Sequence, residues 1–288
     1  MTAPPAPDPG TITVAWINSS YEVPGGDTLL PAGDAVKIVE ALNIQNQDLV
    51  AAWGPARQAT HVLAADAGSA PTGAVLAYFL RNADVANDLG YHDCDPNGNP
   101  YIRVFVETIL NNGGTSLTGN KSVSVCSGHE ADEEAVDPAC ASTATAPNGD
   151  VWALEVGDPV ESSSYTVTLS DGSQVAVSDF VYPSFFDPQG QPPFDHLGAV
   201  SSPFTIAQGG YAIINDQEVF PSSSGGTTTD RRAAGYPEWL WQMKIFPRSR
   251  TARRLPRILQ LSACGWLREQ AGDSHSDLVA AGIEREGG

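Results

Sequence analysis

Only four cysteines occur in 288 residues, Cys94, Cys126, Cys140 and Cys264, and no two stand as CxxC. That spacing excludes a zinc ribbon. A chain of this length also needs no disulfide staples, so the thiols are expected to be buried or incidental. Basic residues are scarce as well, 15 Lys+Arg against 34 Asp+Glu, for a formal charge of -19. No run approaches the roughly 20 apolar residues of a membrane span. Residues Met1 to Gly10 (MTAPPAPDPG) lack the basic start and apolar core of an export signal, so the expectation is a soluble protein that stays off membranes. There is no GxSxG, no phosphate-binding loop and no dinucleotide fingerprint, which leaves serine-hydrolase and nucleotide-dependent chemistry unsupported.

What the chain does have is acid, unevenly placed. From Arg231 onward ten basic residues outnumber six acidic ones, whereas the preceding 230 residues hold five basic and 28 acidic groups. Such a body repels nucleic acid over most of its surface. The positive end concentrates in Tyr236 to Arg257 (YPEWLWQMKIFPRSRTARRLPR). Its aromatic and arginine side chains suit docking back onto the acidic body, or onto a larger assembly.

Periodicity predicts an opening of strand, helix, strand, strand. Thr11 to Ile17 alternates β-branched and apolar residues. Pro31 to Trp53 carries Ala35, Ile38, Val39, Leu42 and Leu49 at helical intervals and stops at Gly54-Pro55. Thr60 to Ala65 and Gly73 to Leu80 are short apolar runs. An edge-like stretch, Asp84 to Asp93 (DVANDLGYHD), is followed by the turn Asp95 to Pro100 and a strand expected over Tyr101 to Leu110. Ser122 to Val136 reads as a helix weakened by Gly128 and ended before Pro138. Beyond it the pattern is β: Val151 to Val156, then Ser164 to Leu169 and Gln174 to Val181 joined by an Asp171-Gly172 hairpin turn. Tyr182 to Gly198 is an aromatic, proline-rich loop. The organisation expected is a leader over 1–10, one α+β domain over 11–220 with a mixed sheet and a β-rich C-terminal half, a linker over 221–230, a basic arm over 231–258 and a tail over 259–288.

The densest ionisable cluster is Gly128 to Pro138 (GHEADEEAVDP). On a helix, positions four apart lie one above the other, so His129 and Glu133 share a face and can touch one ion. Glu130 sits about 100° round, where HExxH metallopeptidases keep their general base. Asp137, a turn further on, stays near the same face. A third metal ligand is expected from Ala153 to Glu161 (ALEVGDPVE), with Glu155 and Asp158 as candidates. One histidine with carboxylates suits zinc and also admits manganese or calcium. The competing reading is a solvated acidic helix face with Glu155 and Asp158 bonded to turn backbone.

The series strand, helix, strands, LGYH edge segment, strand and HE-bearing helix resembles the zincin class of zinc metallopeptidases. The resemblance implies a zincin-like α+β fold, His129 as a ligand, Glu130 as the base activating a metal-bound water, and a peptide or protein substrate. The sequence departs from that class in having HExxE rather than HExxH, no HxxGxxH continuation, and methionines only at Met1 and Met243. A degenerate enzyme is therefore one expectation. GHExxE with DP, LEVGDPVE, FVYPSFFDP, FDHLG and YPEW with RTARR also resemble an uncharacterised family of bacterial and phage proteins. That resemblance covers most of residues 70 to 254 and implies no established activity. The setting expected is cytoplasmic or virion-associated, and the alternative to a hydrolase is a non-catalytic structural or binding component of a virion or other assembly.

The other histidines read as structural. His92 is expected in a turn bonded to Asp93, although its edge position also suits contact with metal or substrate. His196 is expected in a loop packed by Phe194 and Leu197. His61, at a strand start, and His275 carry no assigned role.

Overall fold

In the computed structural model the described residues are 11–85, 88–222 and 226–230; the expected leader, arm and tail lie outside them. The body is α+β. Its main sheet has the order β2-β1-β3-β5-β4 and is built from β1 (Ile12–Ser19), β2 (Ala59–Ala64), β3 (Val75–Leu80), β4 (Gly90–Cys94) and β5 (Pro100–Phe105). The first four strands in that order run parallel, and β4 returns antiparallel along β5 with His92 opposite Ile102. The interior strand β1 is buried from Val14 through Ile17, as a strand covered on both faces requires.

The long helix α1 (Ala32–Trp53) ends where Gly54 takes φ 88°, a left-handed geometry that glycine adopts without strain. Its Ile38, Val39 and Leu42 share one apolar cluster with Trp16, Phe79, Ile102 and Val104 of the sheet and with Ala131 of the second long helix, α3 (Val123–Val136). Ser122 caps α3 by accepting a hydrogen bond from the Val125 N–H. The Gly128 that weakens α3 in sequence is explained by contact with α1. A Cβ there would lie 2.3 Å from Gln45 Oε1, and Gln45 Nε2 donates to Asp132 at 2.6 Å and to the Ser178 carbonyl at 3.0 Å. Helix α3 is therefore packed closely against α1, and both helices contribute to the apolar cluster on the sheet.

The expected strand Tyr101 to Leu110 is corrected. It ends at Phe105 and the chain passes directly into a short helix, α2 (Val106–Asn111). Val106 and Ile109, three apart, are the buried pair, so helical spacing overrides the β-branched composition.

The C-terminal half is β-rich and made of short pieces. β6 (Thr143–Thr145) and β7 (Val151–Ala153) join β10 (Ala212–Ile214), β11 (Gln217–Pro221) and β12 (Thr227–Thr228) in a second sheet. Thus Thr227 and Thr228, within the segment read as linker, pair with Pro221 and Phe220. The expected Asp171-Gly172 hairpin forms from β8 (Ser164–Thr168) and β9 (Gln174–Ser178), and its Val167, Val175 and Val177 pack on Ala41 of α1. A third apolar cluster, with Trp152, Phe180, Phe185 and Phe194, closes the far end of α3 against the second sheet. No helix among the described residues is long and apolar enough to cross a membrane.

Candidate metal centre

α3 is amphipathic only in a formal sense, because its polar face is buried too. His129, Glu130, Asp132, Glu133 and Glu134 are all under 8 % exposed. The acidic helix is therefore not the solvated face of the competing reading, and its charges have to be met from inside the protein.

The i, i+4 relation expected for His129 and Glu133 holds in space, with His129 Nε2 3.2 Å from Glu133 Oε1. Asp158 completes the group from a 3-10 turn over Asp158–Val160, its Oδ1 3.1 Å from the same His129 nitrogen. Its backbone is pinned by the Tyr211 N–H, which donates to the Asp158 carbonyl at 2.9 Å. Gly157 lets this turn approach so closely. A Cβ there would sit 2.5 Å from His129 Nδ1, while the Gly157 N–H donates to Glu133 Oε1 at 3.2 Å.

A second set lies on the other side of Glu133. His92, fully buried on edge strand β4, has Nδ1 3.3 Å from Glu133 Oε2 and 3.5 Å from Glu130 Oε2, and its Nε2 is 3.6 Å from Glu155 Oε2. The expected turn histidine bonded to Asp93 is corrected: β4 pairing turns the His92 ring inward onto α3, while the Asp93 carboxylate accepts from the Cys94 N–H. Contact with metal or substrate is the alternative that the sequence offers for His92, and its place among the carboxylates of α3 agrees with that alternative rather than with the turn. The available signal was its edge-strand position two residues from Gly90, the side-chain period of a strand.

The remaining candidates separate. Glu155 stands with His92 rather than His129. Asp137 caps the end of α3, its Oδ2 accepting from the Ser142 N–H at 2.9 Å, and belongs to neither cluster. His196 is packed by Tyr165 and Phe180, not by Leu197, which is exposed. His61 is buried in β2 and its Nδ1 accepts from the Trp16 indole N–H at 3.2 Å. Cys94, Cys126 and Cys140 belong to neither cluster, and Cys264 lies outside the described residues.

Electrostatics couple the first set tightly. Burial opposes charging of His129, yet the carboxylates of Glu133 and Asp158 outweigh it and hold the imidazole well above its ordinary pKa. Burial likewise pushes Glu133 up, but His129 and His92 prevail and keep it ionised far below the usual carboxylate range. Asp158 goes the other way, raised to about 6 by burial and by the charge of Glu133, since one imidazolium cannot satisfy both acids. A site short of positive charge is what a divalent ion fills.

The donor set fits such an ion. His129, Glu133 and Asp158 each offer one ligand atom, all within 4.8 Å of one another, as do His92, Glu130 and Glu133. Metal–ligand bonds of about 2.0–2.2 Å place tetrahedral neighbours roughly 3.4 Å apart. The N···O separations of 3.1 and 3.2 Å around His129 approach that edge. Comparison with protein-family models, with curated proteins and with solved structures returns no match.

Proposed function

We propose that the protein is a zincin-like, metal-dependent hydrolase of peptide bonds, with His129, Glu133 and Asp158 holding the ion and Glu130 serving as general base. The observation that carries this reading is the meeting of His129 Nε2 with Glu133 and Asp158 at 3.2 and 3.1 Å. The zincin-like part is supported by the sheet order and by the antiparallel edge strand β4 beside the HE-bearing helix. Zinc suits an imidazole with two carboxylates, and manganese fits the same set. When bound, the ion supplies Lewis acidity and lowers the pKa of coordinated water. The residues of the chain do the rest. Glu130, next to the ligand His129, takes up a proton, and β4, paired on one side only, offers main-chain groups along which an extended peptide can add as a strand. Two carboxylates leave the ion less positive than histidine-rich sites do, so water is acidified less and turnover is slow.

A second reading draws on burial. His129, Glu133 and Asp158 are each at most 7 % exposed, which favours an ion that braces the core of a non-catalytic assembly component. Metal analysis of the purified protein with peptide hydrolysis by wild type and Glu130→Gln tests both. Stoichiometric metal with hydrolysis lost in Glu130→Gln supports the enzyme. Bound metal with no hydrolysis in either form supports the brace, and absence of metal removes both.

A further inference from the structure

We propose a second cation position that shares Glu133 with the first, held by His92 Nδ1, Glu130 and the Oε2 oxygen of Glu133. This rests on the metal-binding part of the reading above and not on hydrolysis. The two oxygens of Glu133 are already divided: Oε1 faces His129 and the Gly157 N–H, while Oε2 faces His92. A carboxylate placed so is a bridge between two ions. Around the second position His92 Nδ1 is 3.3 Å from Glu133 and 3.5 Å from Glu130. Those values bracket the roughly 3.4 Å edge of a tetrahedron drawn with zinc bond lengths.

The ring of His92 points to the same arrangement. It meets carboxylates at both nitrogens, and a neutral imidazole donates through only one of them. A cation at Nδ1 uses the lone pair there and leaves Nε2–H facing Glu155 Oε2 at 3.6 Å, the side on which a neighbouring carboxylate favours the tautomer that ligates through Nδ1. Strand β4 is pressed onto α3 at this point. A Cβ at Gly90 would lie 2.7 Å from Cys126 Sγ and 3.5 Å from Glu130 Cγ, so glycine there brings His92, two residues on, to the helix.

Charge supplies an independent argument. Glu130, Glu133, Glu155 and Asp158 are four carboxylates in one enclosure with two imidazoles. Lys37, Arg81 and Arg103 are engaged elsewhere, by Asp171, Glu107 and Asp84. Protonating both histidines offsets half of the negative charge. Two divalent ions offset all of it and leave the imidazoles neutral, the state in which they ligate. With the second position filled Glu130 is a ligand, so the base role proposed for it above belongs to the protein loaded at the first position alone.

The test is metal stoichiometry of the full chain. Protein stripped with chelator is titrated with zinc by calorimetry and weighed for bound zinc after desalting. The manganese-loaded form is examined by electron paramagnetic resonance. Wild type is expected to bind two equivalents, with His92→Asn losing at least about tenfold in affinity for one of them and keeping the other. Two manganese ions bridged by Glu133 are expected to give exchange-coupled lines. One equivalent in wild type, unchanged in His92→Asn, overturns the second position and leaves the first standing; no zinc in wild type overturns both. Two equivalents surviving intact in a folded His92→Asn also overturn the assignment. If that variant does not fold, the wild-type spectrum decides, since uncoupled manganese lines exclude a shared carboxylate.

Discussion

Around His92 and His129 four carboxylates meet two imidazoles, whereas Asp179 and Asp195, at most 1 % exposed, meet each other. Both regions lie in the same core, and both bury acid that would be costly if left charged. In the second region Asp195 accepts from the Ala199 and Val200 N–H groups and Asp179 Oδ1 accepts from the Phe180 N–H, while Asp179 Oδ2 meets no N–H donor among the described residues. Burial and then the neighbouring Asp195 raise Asp179 to about 7, so a proton fills the gap between two acceptors. The difference lies in the imidazoles. Carboxylates arranged around a histidine at ligand spacing are able to hold a cation, whereas a buried carboxylate facing another carboxylate is driven to hold a proton.

The largest effect that could break this contrast is thermal. Zinc at about a thousand times its Kd should stabilise the chelator-stripped protein by roughly 4 kcal/mol, since it binds only the folded chain. Glu133→Gln should lose most of that increment and Asp179→Asn should keep it. Melting curves with and without zinc measure it. Equal loss in the two variants would erase the distinction between the regions.

Gly157→Ala sharpens the comparison within the cation region. The backbone there is ordinary helical geometry, φ -86 and ψ -35, so the cost is steric alone: the new methyl meets the His129 ring at 2.5–2.8 Å. Displacing a ligand from its supporting contacts should weaken zinc binding by about 10–100-fold. Calorimetry should find the change in affinity, while Gly33→Ala, where the backbone is not left-handed and a Cβ meets nothing within 4 Å, leaves it alone.

The two regions were not equally legible in the sequence. His129 and Glu133 could be paired because helical spacing is local, and Asp158 was within reach because LEVGDPVE is an acidic turn. His92 could not be placed, since only the β4–β5 pairing brings it to α3, and a strand edge reads the same whether its histidine faces solvent or core. Asp137 looked equivalent to Asp158 until the chain turned at Pro138 and made it a cap. In the fold, long periodic segments such as α1 were readable, but β10 and β11 were not. They are short strands joined by Asn215-Asp216, both at positive φ, a two-residue hairpin signal that is easily read as loop. The proton region had no signature at all, because Asp179 and Asp195 are brought together by a short non-local pairing: the Val181 with Asp195 bridge, and the Tyr182 and His196 N–H groups donating to the Phe194 and Phe180 carbonyls.

Asp179→Asn tests the proton region directly. Its folded pKa of about 7 lies above the ordinary 3.8, so the folded protein holds a proton that the unfolded chain has released. Stability is then full below pH 4 and falls as pH rises toward 7, by about 2 kcal/mol between pH 5 and 6.5 at one proton's slope. Asparagine presents an N–H to Asp195 at every pH. Relative to wild type the variant should gain that amount over the same interval in urea melts, and a flat difference would mean that no proton is held there.

The smallest effect has the opposite sign and comes from a buried titratable group that belongs to neither region. His61, enclosed in β2 and accepting from Trp16, is lowered from 6.5 to about 4 by burial. The unfolded chain therefore takes up a proton before the folded one does. Stability is full well above pH 6.5 and is lost as pH falls toward 4, by about 1 kcal/mol between pH 6.5 and 5.5, where the unfolded imidazole goes from half to almost fully protonated. His61→Gln, which can keep an acceptor for the Trp16 N–H, should gain on wild type as pH falls through that interval, where Asp179→Asn gains as pH rises. Over pH 5.5 to 6.5 the two wild-type contributions oppose each other. Each single variant should therefore reveal a slope that wild type conceals, and urea melts at half-unit steps should show the two differences crossing. Parallel differences would show that one of the two groups does not change its protonation on folding.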